Sequence, residues 1–256
     1  MRRSSHRKQT KNSRWPLAVG LLIFFAFAFL GFIVFKILTL DKFIFVNKAN
    51  DGSAEVIIVE KRINKTTKYL IPSETKLMSA RGYGEYKLSS LWQLSEKDET
   101  RDKLITETIT KNFSLPIYLW KNERKSNLNI YQIISALLME CKKSEYDYII
   151  TTKLPNSVLI NFINSKFVDH TPKVDVLDLT GSLNTLDNVS KIIEVVGGKI
   201  TLNSKGYDKE LDCKVIGKKL DVVAIFSNIF SCDGSIDQSI STDLKIYLGA
   251  KFAERF

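Results

Sequence analysis

Residues 16–35 read PLAVGLLIFFAFAFLGFIVF, a run without a single charge. A helix of about 20 residues covers the ~30 Å hydrocarbon core of a bilayer, and this run has that length. In lipid the backbone amides must be satisfied internally, so an isolated apolar segment of this kind has to be helical. Arg2, Arg3, Arg7, Lys8, Lys11 and Arg14 all precede it. The positive-inside rule then keeps residues 1–14 in the cytoplasm and sends everything after the helix to the other side. A cleaved signal peptide has a shorter apolar core, ~7–15 residues, ending at a small-residue cleavage site. Here the run is longer and passes into FKILTLDKF with no A-x-A-like site. The expectation is an anchor over 15–40 behind a basic tail, and hence a cell-membrane protein with one span.

The net charge of +10 invites a nucleic-acid partner, but six of those charges sit in the first 14 residues. They are topogenic, and suited to anionic headgroups. A folded part beyond the membrane and a 14-residue inner tail leave no room for a DNA-reading module, so no nucleic-acid partner is expected. The about 215 residues that follow suffice for one large or two small domains. Cys141, Cys213 and Cys232 have no C-x-x-C spacing. Outside the cytoplasm disulfides form. Cys213 opens an apparent strand and Cys232 closes an apparent helix, so the two are candidates to pair; bridging depends on a Cα separation that sequence does not show. Cys141, on an apolar helix, reads as a buried free thiol. His170 has no histidine near it and reads as a linker residue, since zinc sites gather three or four ligands.

Along the chain, FIFV (43–46) leads through NKANDGS to EVIIVEK (55–61), a short β-branched run bounded by turn formers and therefore a strand. TTKYLIP (66–72) is its hairpin partner across Asn64-Lys65. RGYGEYK (81–87) is a glycine-punctuated loop, in which Gly82 and Gly84 serve positive φ. Apolar spacing predicts helices over 103–113 and 130–141, with strands at 115–120 and 146–152. Residues 157–167 fit a short helix or strand. After HTPK (170–173) come a strand (174–180), a helix capped by Ser182 or Asn184 and stopped by Gly197-Gly198, and a strand (199–204). Another strand (214–218), a helix with Leu220, Val223, Phe226 and Phe230 on one face, and a closing strand (243–249) complete the pattern. The fold class is α/β (α+β): one transmembrane helix followed by two small mixed domains, over 41–169 and 170–256.

Several of these segments resemble the LytR-CpsA-Psr family, membrane-anchored enzymes that move glycopolymers from a polyprenyl-pyrophosphate carrier onto the bacterial cell wall. VDVLDLTG (174–181) is similar to the family's V-x-V-L-N-G-T-G opening, Gly197-Gly198-Lys199-Ile200 to its G-x-x-V step, and DLKIYLGAKF (243–252) to its D-I-x-V-I-L-G-x-D-F close. These cover Val174 to Phe252 and resemble the LytR C-terminal domain. Upstream, IPSET (71–75) stands where the catalytic domain has I-P-R-D-T. GYGEYKLSSLW (82–92) resembles its G-Y-G-x-x-K-I-N-x-A-Y loop, and LITETITKNFSLPIYLW (104–120) its helix leading into I-P-I-D-Y-Y-V.

The resemblance implies a pyrophosphate held by arginine forks and a carboxylate-bound divalent metal. Here Ser73 replaces the arginine, Glu74 the aspartate, and Ala54 stands where the R-S-D-T carboxylate belongs. The family's later arginine-rich stretch has no counterpart between Trp120 and Lys173, an interval too short for the complete domain. Lys87 survives, with Arg81 and Glu74 the other ligand-binding candidates. A lone lysine carries charge without fork geometry, and a surface lysine after a tight turn is the plainer reading. Glu74 and Glu55 as a catalytic pair lack a nucleophile. No G-x-S-x-G, G-x-G-x-x-G or P-loop occurs. No catalytic or metal-ligating residue is assigned.

Two readings follow. One is a non-catalytic envelope protein, without cofactor, that binds wall glycan or an envelope protein. The other is a divergent phosphotransferase using Lys87, Glu74, Arg81 and Mg²⁺. They separate on whether Arg81, Lys87, Arg101 and Arg124 converge on one cleft.

Overall fold

The computed structural model describes residues 15–97, 103–123, 125–140, 146–151 and 154–256. The basic tail over 1–14, Cys141, Arg101 and Arg124 lie outside the described residues. Helix α1 (Trp15–Leu38) takes up the apolar run. Its stretch Val19–Ile37 has a mean hydropathy of 2.5, and by length and composition it is apolar enough to be a membrane span or a signal sequence.

Asp41–Phe256 forms a compact unit of its own, a mixed α/β fold, and both stretches expected as separate domains lie within it. Its first half runs β1 (Lys42–Lys48), β2 (Ala54–Glu60), β3 (Lys65–Ile71), β4 (Lys76–Met78), β5 (Glu85–Lys87), α2 (Leu88–Lys97), α3 (Lys103–Phe113), β6 (Leu119–Lys121), α4 (Ile130–Glu140), β7 (Tyr148–Ile149) and α5 (Asn156–Leu159). The second half runs β8 (Lys173–Asp178), α6 (Thr185–Val196), β9 (Lys199–Lys205), β10 (Cys213–Gly217), α7 (Leu220–Phe230), β11 (Asp233–Ile236), β12 (Leu244–Leu248) and α8 (Ala250–Arg255).

The first sheet has the order β6-β1-β2-β3-β7, antiparallel through β1, β2 and β3, with β6 parallel to β1 and β7 parallel to β3. Both of its faces are covered, which is why β2 is apolar without alternation. Val56 and Ile58 join Trp92, Ile105, Ile109 and Phe162 on one side. Ile57 and Val59 join Phe43, Phe45, Ala136 and Met139 on the other. The second sheet has the order β11-β10-β12-β8-β9, and its core gathers Val176, Ile193, Val215, Phe226, Ile246 and Phe252. All strands of the first sheet precede the HTPK segment and all of the second begin at or after Lys173. The halves share packing: Val195 of α6 is buried in the first core.

Where the structure departs from the sequence reading, burial is the reason. Only Leu119–Lys121 of 115–120 enters a ladder. Leu115 and Ile117 are apolar because they are buried in coil, where Ile117 O accepts the Thr110 hydroxyl proton. Of the strand expected at 146–152, the described residues 146–151 enter a ladder only at Tyr148–Ile149. Residues 156–167 are α5 followed by two 3-10 turns. Four elements are additional, the short strands β4 and β5, β11 and the helix α2; β5 and α2 occupy part of what reads as loop. The chain also continues past β12 into α8 instead of closing on the strand. Asn184 stands at the start of α6 without a side-chain cap bond, whereas Gly197 ends it at φ 101°.

Gly249, in the LGAKF segment, has a specific steric cause. Its N–H donates to Asp212 O at 2.6 Å, and a Cβ there would lie 2.0 Å from Leu211 O. Gly249→Ala therefore requires backbone displacement and is expected to cost ~3 kcal/mol. A thermal melt should read that as a midpoint about 10 °C lower. Gly84→Ala meets open space at φ +97° and should cost only about 1 kcal/mol.

Candidate functional site

Three segments singled out in the sequence meet at the far end of the first sheet. Asp51 accepts from Ser53 N and Ser53 Oγ, both at 2.9 Å. Ser53 Oγ in turn accepts from Ser73 N at 3.1 Å. Ser89 N donates to Ser73 O at 3.0 Å, and Leu88 N to Thr75 O at 2.9 Å. Segments 51–54, 73–75 and 87–89 thus interlock through short polar residues. The hydrogen bonds from Ser53 hold the Asp51 carboxyl below its ordinary range. Ala54, standing where the resemblance puts a carboxylate, is fully buried in the core.

On this shelf Lys87 Nζ lies 2.5 Å from Glu74 Oε2, the side chains 52% and 71% exposed. They form a solvated ion pair of the kind worth ~0–1 kcal/mol. Arg81 is engaged elsewhere. It sits at φ 65° in the turn between β4 and β5, where its Nε donates to Glu107 Oε2 at 2.9 Å and its Nη2 to Glu107 Oε1 at 3.1 Å. Helix α3 clamps that turn along its length. Thr108 Oγ1 accepts from Ala80 N, and Asn112 both accepts from Met78 N and donates to Met78 O. Of the three candidate ligand residues, the structure joins Glu74 to Lys87 and gives Arg81 a different partner.

The magnesium site of the transferase reading needs carboxylates free to enter an oxygen shell. Here Glu74 is paired with Lys87, Asp51 is engaged by Ser53, and Glu55 accepts from Asn47 Nδ2 at 2.8 Å and from the Tyr146 hydroxyl at 2.7 Å. That bond to Glu55 pushes the Tyr146 phenol up to about 12. Among the described residues no group of three or more His, Cys, Asp or Glu converges as a metal-binding cluster. His170 lies 3.8 Å from Asp243 and is exposed.

A second feature is not signalled by any motif. Between α3 and α7 lies a cavity of about 270 Å³, bordered by Lys103, Glu107, Tyr118, Asn127, Ser227, Asn228, Ser231, Cys232 and Asp233. Glu107 Oε1 accepts from Ser231 Oγ at 2.9 Å, so this carboxylate ties the turn of Arg81 to the end of α7. Ser227 borders the cavity, and its buried hydroxyl has no hydrogen-bond partner among the described residues. Burial pushes the Tyr118 phenol up, so it is a neutral donor at ordinary pH. Cys213 and Cys232 are bonded to each other, with Cα atoms 5.1 Å apart, in the usual range for a disulfide. Arg255 braces the same corner, donating to Phe230 O and Ser231 O at 3.0 and 3.1 Å and to Asp212 from Nε. The cavity presents hydroxyl, amide, carboxylate and ammonium groups beside an aromatic ring. Such groups are able to hydrogen-bond a polar ligand.

Compared with family models, curated proteins and solved structures, the chain matches none.

Proposed function

We propose that the chain is a membrane-anchored protein of a bacterial cell envelope, with residues 1–14 cytoplasmic and Asp41–Phe256 outside. There it binds wall glycan, in the polar cavity between α3 and α7, and does not transfer it. The basic cluster before α1 supports the orientation, and the Cys213–Cys232 bond suits an oxidising compartment. The resemblance to LytR-CpsA-Psr proteins supplies the envelope setting. The observation that carries the non-catalytic reading is the disposition of Arg81: its guanidinium is held in both of its short bonds by the buried carboxylate of Glu107 and does not stand with Lys87. A pyrophosphate leaving group gains charge as its bond breaks, and enzymes offset this with preorganised cations. Each lost donor of this kind slows turnover ~10²–10³-fold.

The full-length chain in proteoliposomes, given a polyprenyl-pyrophosphate-linked glycopolymer and Mg²⁺, is therefore expected to show no transfer above protein-free vesicles. Magnesium-dependent transfer that Lys87→Ala abolishes would establish the transferase reading instead. Recovery of an envelope protein from the native membrane, without glycan, would make the ligand a protein.

A further inference from the structure

We propose that one edge of the Asp41–Phe256 unit is a bilayer-contacting surface, formed by the β2–β3 turn and the 160–168 segment. The inference rests on α1 being a membrane anchor. A groove of about 390 Å³ is bordered by Asp41, Lys42, Glu60, Arg62, Ile63, Ile160, Ile163, Ser165 and Val168. Three of its apolar side chains are largely uncovered: Ile63 and Ile160 at 62% exposure each, and Val168 at 71%. Clustered apolar exposure of this kind marks a contact surface.

Two observations name the occupant as lipid. The first is covalent reach. Asp41 borders the groove, and its carbonyl accepts from Lys61 N at 2.9 Å, which fixes the β2–β3 turn beside the first residue of the unit. The apolar window of α1 ends at Ile37, and four residues span at most about 14 Å. The headgroup layer adds roughly 5–7 Å beyond the hydrocarbon core. On the anchor reading, that tether keeps Asp41 within about 14 Å of the hydrocarbon edge.

The second is charge. The turn reads Lys61-Arg62-Ile63-Asn64-Lys65, three cations and no acid around an exposed isoleucine. Of the acids that border the groove, Glu60 is held by Lys42 at 2.7 Å and Asp41 offsets one of the three cations, so the edge keeps a charge of +2. Basic residues beside an inserted apolar side chain match an anionic headgroup layer. The shelf of Glu74 and Lys87 lies at the opposite end of the strands: β1 runs from Lys42 to Lys48, about 20 Å at ~3.3 Å per residue. On this reading the shelf points away from the bilayer.

The test is photo-crosslinking of the full-length chain in nanodiscs that contain an anionic lipid. One lipid probe carries its diazirine at the headgroup and a second carries it in the acyl chain, and adducts are mapped by mass spectrometry. The acyl probe should label α1, and the headgroup probe should label Ile63, Ile160 and Val168 at least about fivefold above Leu183, which is 85% exposed and follows the far end of β8. Ile63→Asp/Ile160→Asp/Val168→Asp, at exposed positions, should bring that labelling to the Leu183 level with an unchanged melt. If α1 escapes the acyl probe, the anchor reading fails. If α1 is labelled while the groove stays at the Leu183 level, the membrane-contact proposal is overturned and the anchor stands.

Discussion

Replacing Cys213 and Cys232 together by alanine is expected to lower the unfolding free energy of the unit by about 3 kcal/mol. The bond closes a loop with a sequence separation of 19, and the chain-entropy account of such loops gives ~3 kcal/mol. The local packing points the same way. Cys213 opens β10 inside the second core, at 4% exposure, and Cys232 follows the end of α7. The bond therefore fastens the strand to the helix that packs on it. Arg255 adds donors to the last carbonyls of α7, groups that a helix C-terminus leaves without partners. Denaturant unfolding of the full-length protein in detergent, with and without reductant, measures the effect. Wild type should lose its advantage on reduction and the double variant should not respond. Two alkylatable thiols before reduction would contradict the bridge. Because Ser231 and Cys232 border the cavity, reduction should also weaken ligand binding there.

Glu107→Ala should cost as much or more, ~3–5 kcal/mol. The Glu107 side chain is 6% exposed and its Arg81 partner 22%, so truncation leaves a guanidinium largely out of water with its two acceptors gone. It also strips Ser231 Oγ of its acceptor. Such a loss is a large part of the 5–15 kcal/mol that holds a typical domain together. Removing both charges is less damaging than removing one, so Arg81→Ala/Glu107→Ala should be more stable than the sum of the single losses predicts. Glu107→Gln, which keeps the volume and an acceptor, should fall between. A Glu107→Ala protein within about 0.5 kcal/mol of wild type would show that the pair behaves as an exposed one.

Those two sites mark where the sequence was legible and where it was not. The apolar helix α1, the hairpin of β2 and β3, and the β8–α6–β9 unit with its Gly197 stop are written in local patterns: an uninterrupted apolar run, β-branched runs between turn formers, an apolar stripe ended by glycine. The pairing of Cys213 with Cys232 was legible as a candidate because each cysteine ends a recognisable element. Glu107 was not. On α3 the sequence offers Leu104, Ile105, Ile109 and Phe113 as the buried face and leaves the polar positions to solvent. Yet Thr106, Glu107, Thr108 and Thr110 are buried too. The covering groups come from the turn of Arg81 and from α7, more than a hundred residues away for Ser231, and no local period encodes them. Arg81 was legible as a cation worth noticing, but its partner, and so its structural use, was not. Helix α2 was hidden for a different reason: LSSLWQLSEK carries two serines early and follows a glycine-rich turn, which reads as loop until Leu88, Leu91 and Trp92 are seen buried on one side.

On the glycan-binding proposal the polar cavity between α3 and α7, and not the shelf of Lys87, holds the ligand, and one titration tests it. Soluble glycan released from cell walls is titrated into the full-length protein in detergent, with heat as the readout, for wild type, Asn228→Trp and Lys87→Ala. Asn228 borders the cavity, and an indole there fills part of it. The account predicts saturable binding that Asn228→Trp weakens about tenfold or more, ~1.4 kcal/mol, and that Lys87→Ala leaves unchanged. Binding abolished by Lys87→Ala and indifferent to Asn228→Trp, or no binding by wild type at all, would contradict it.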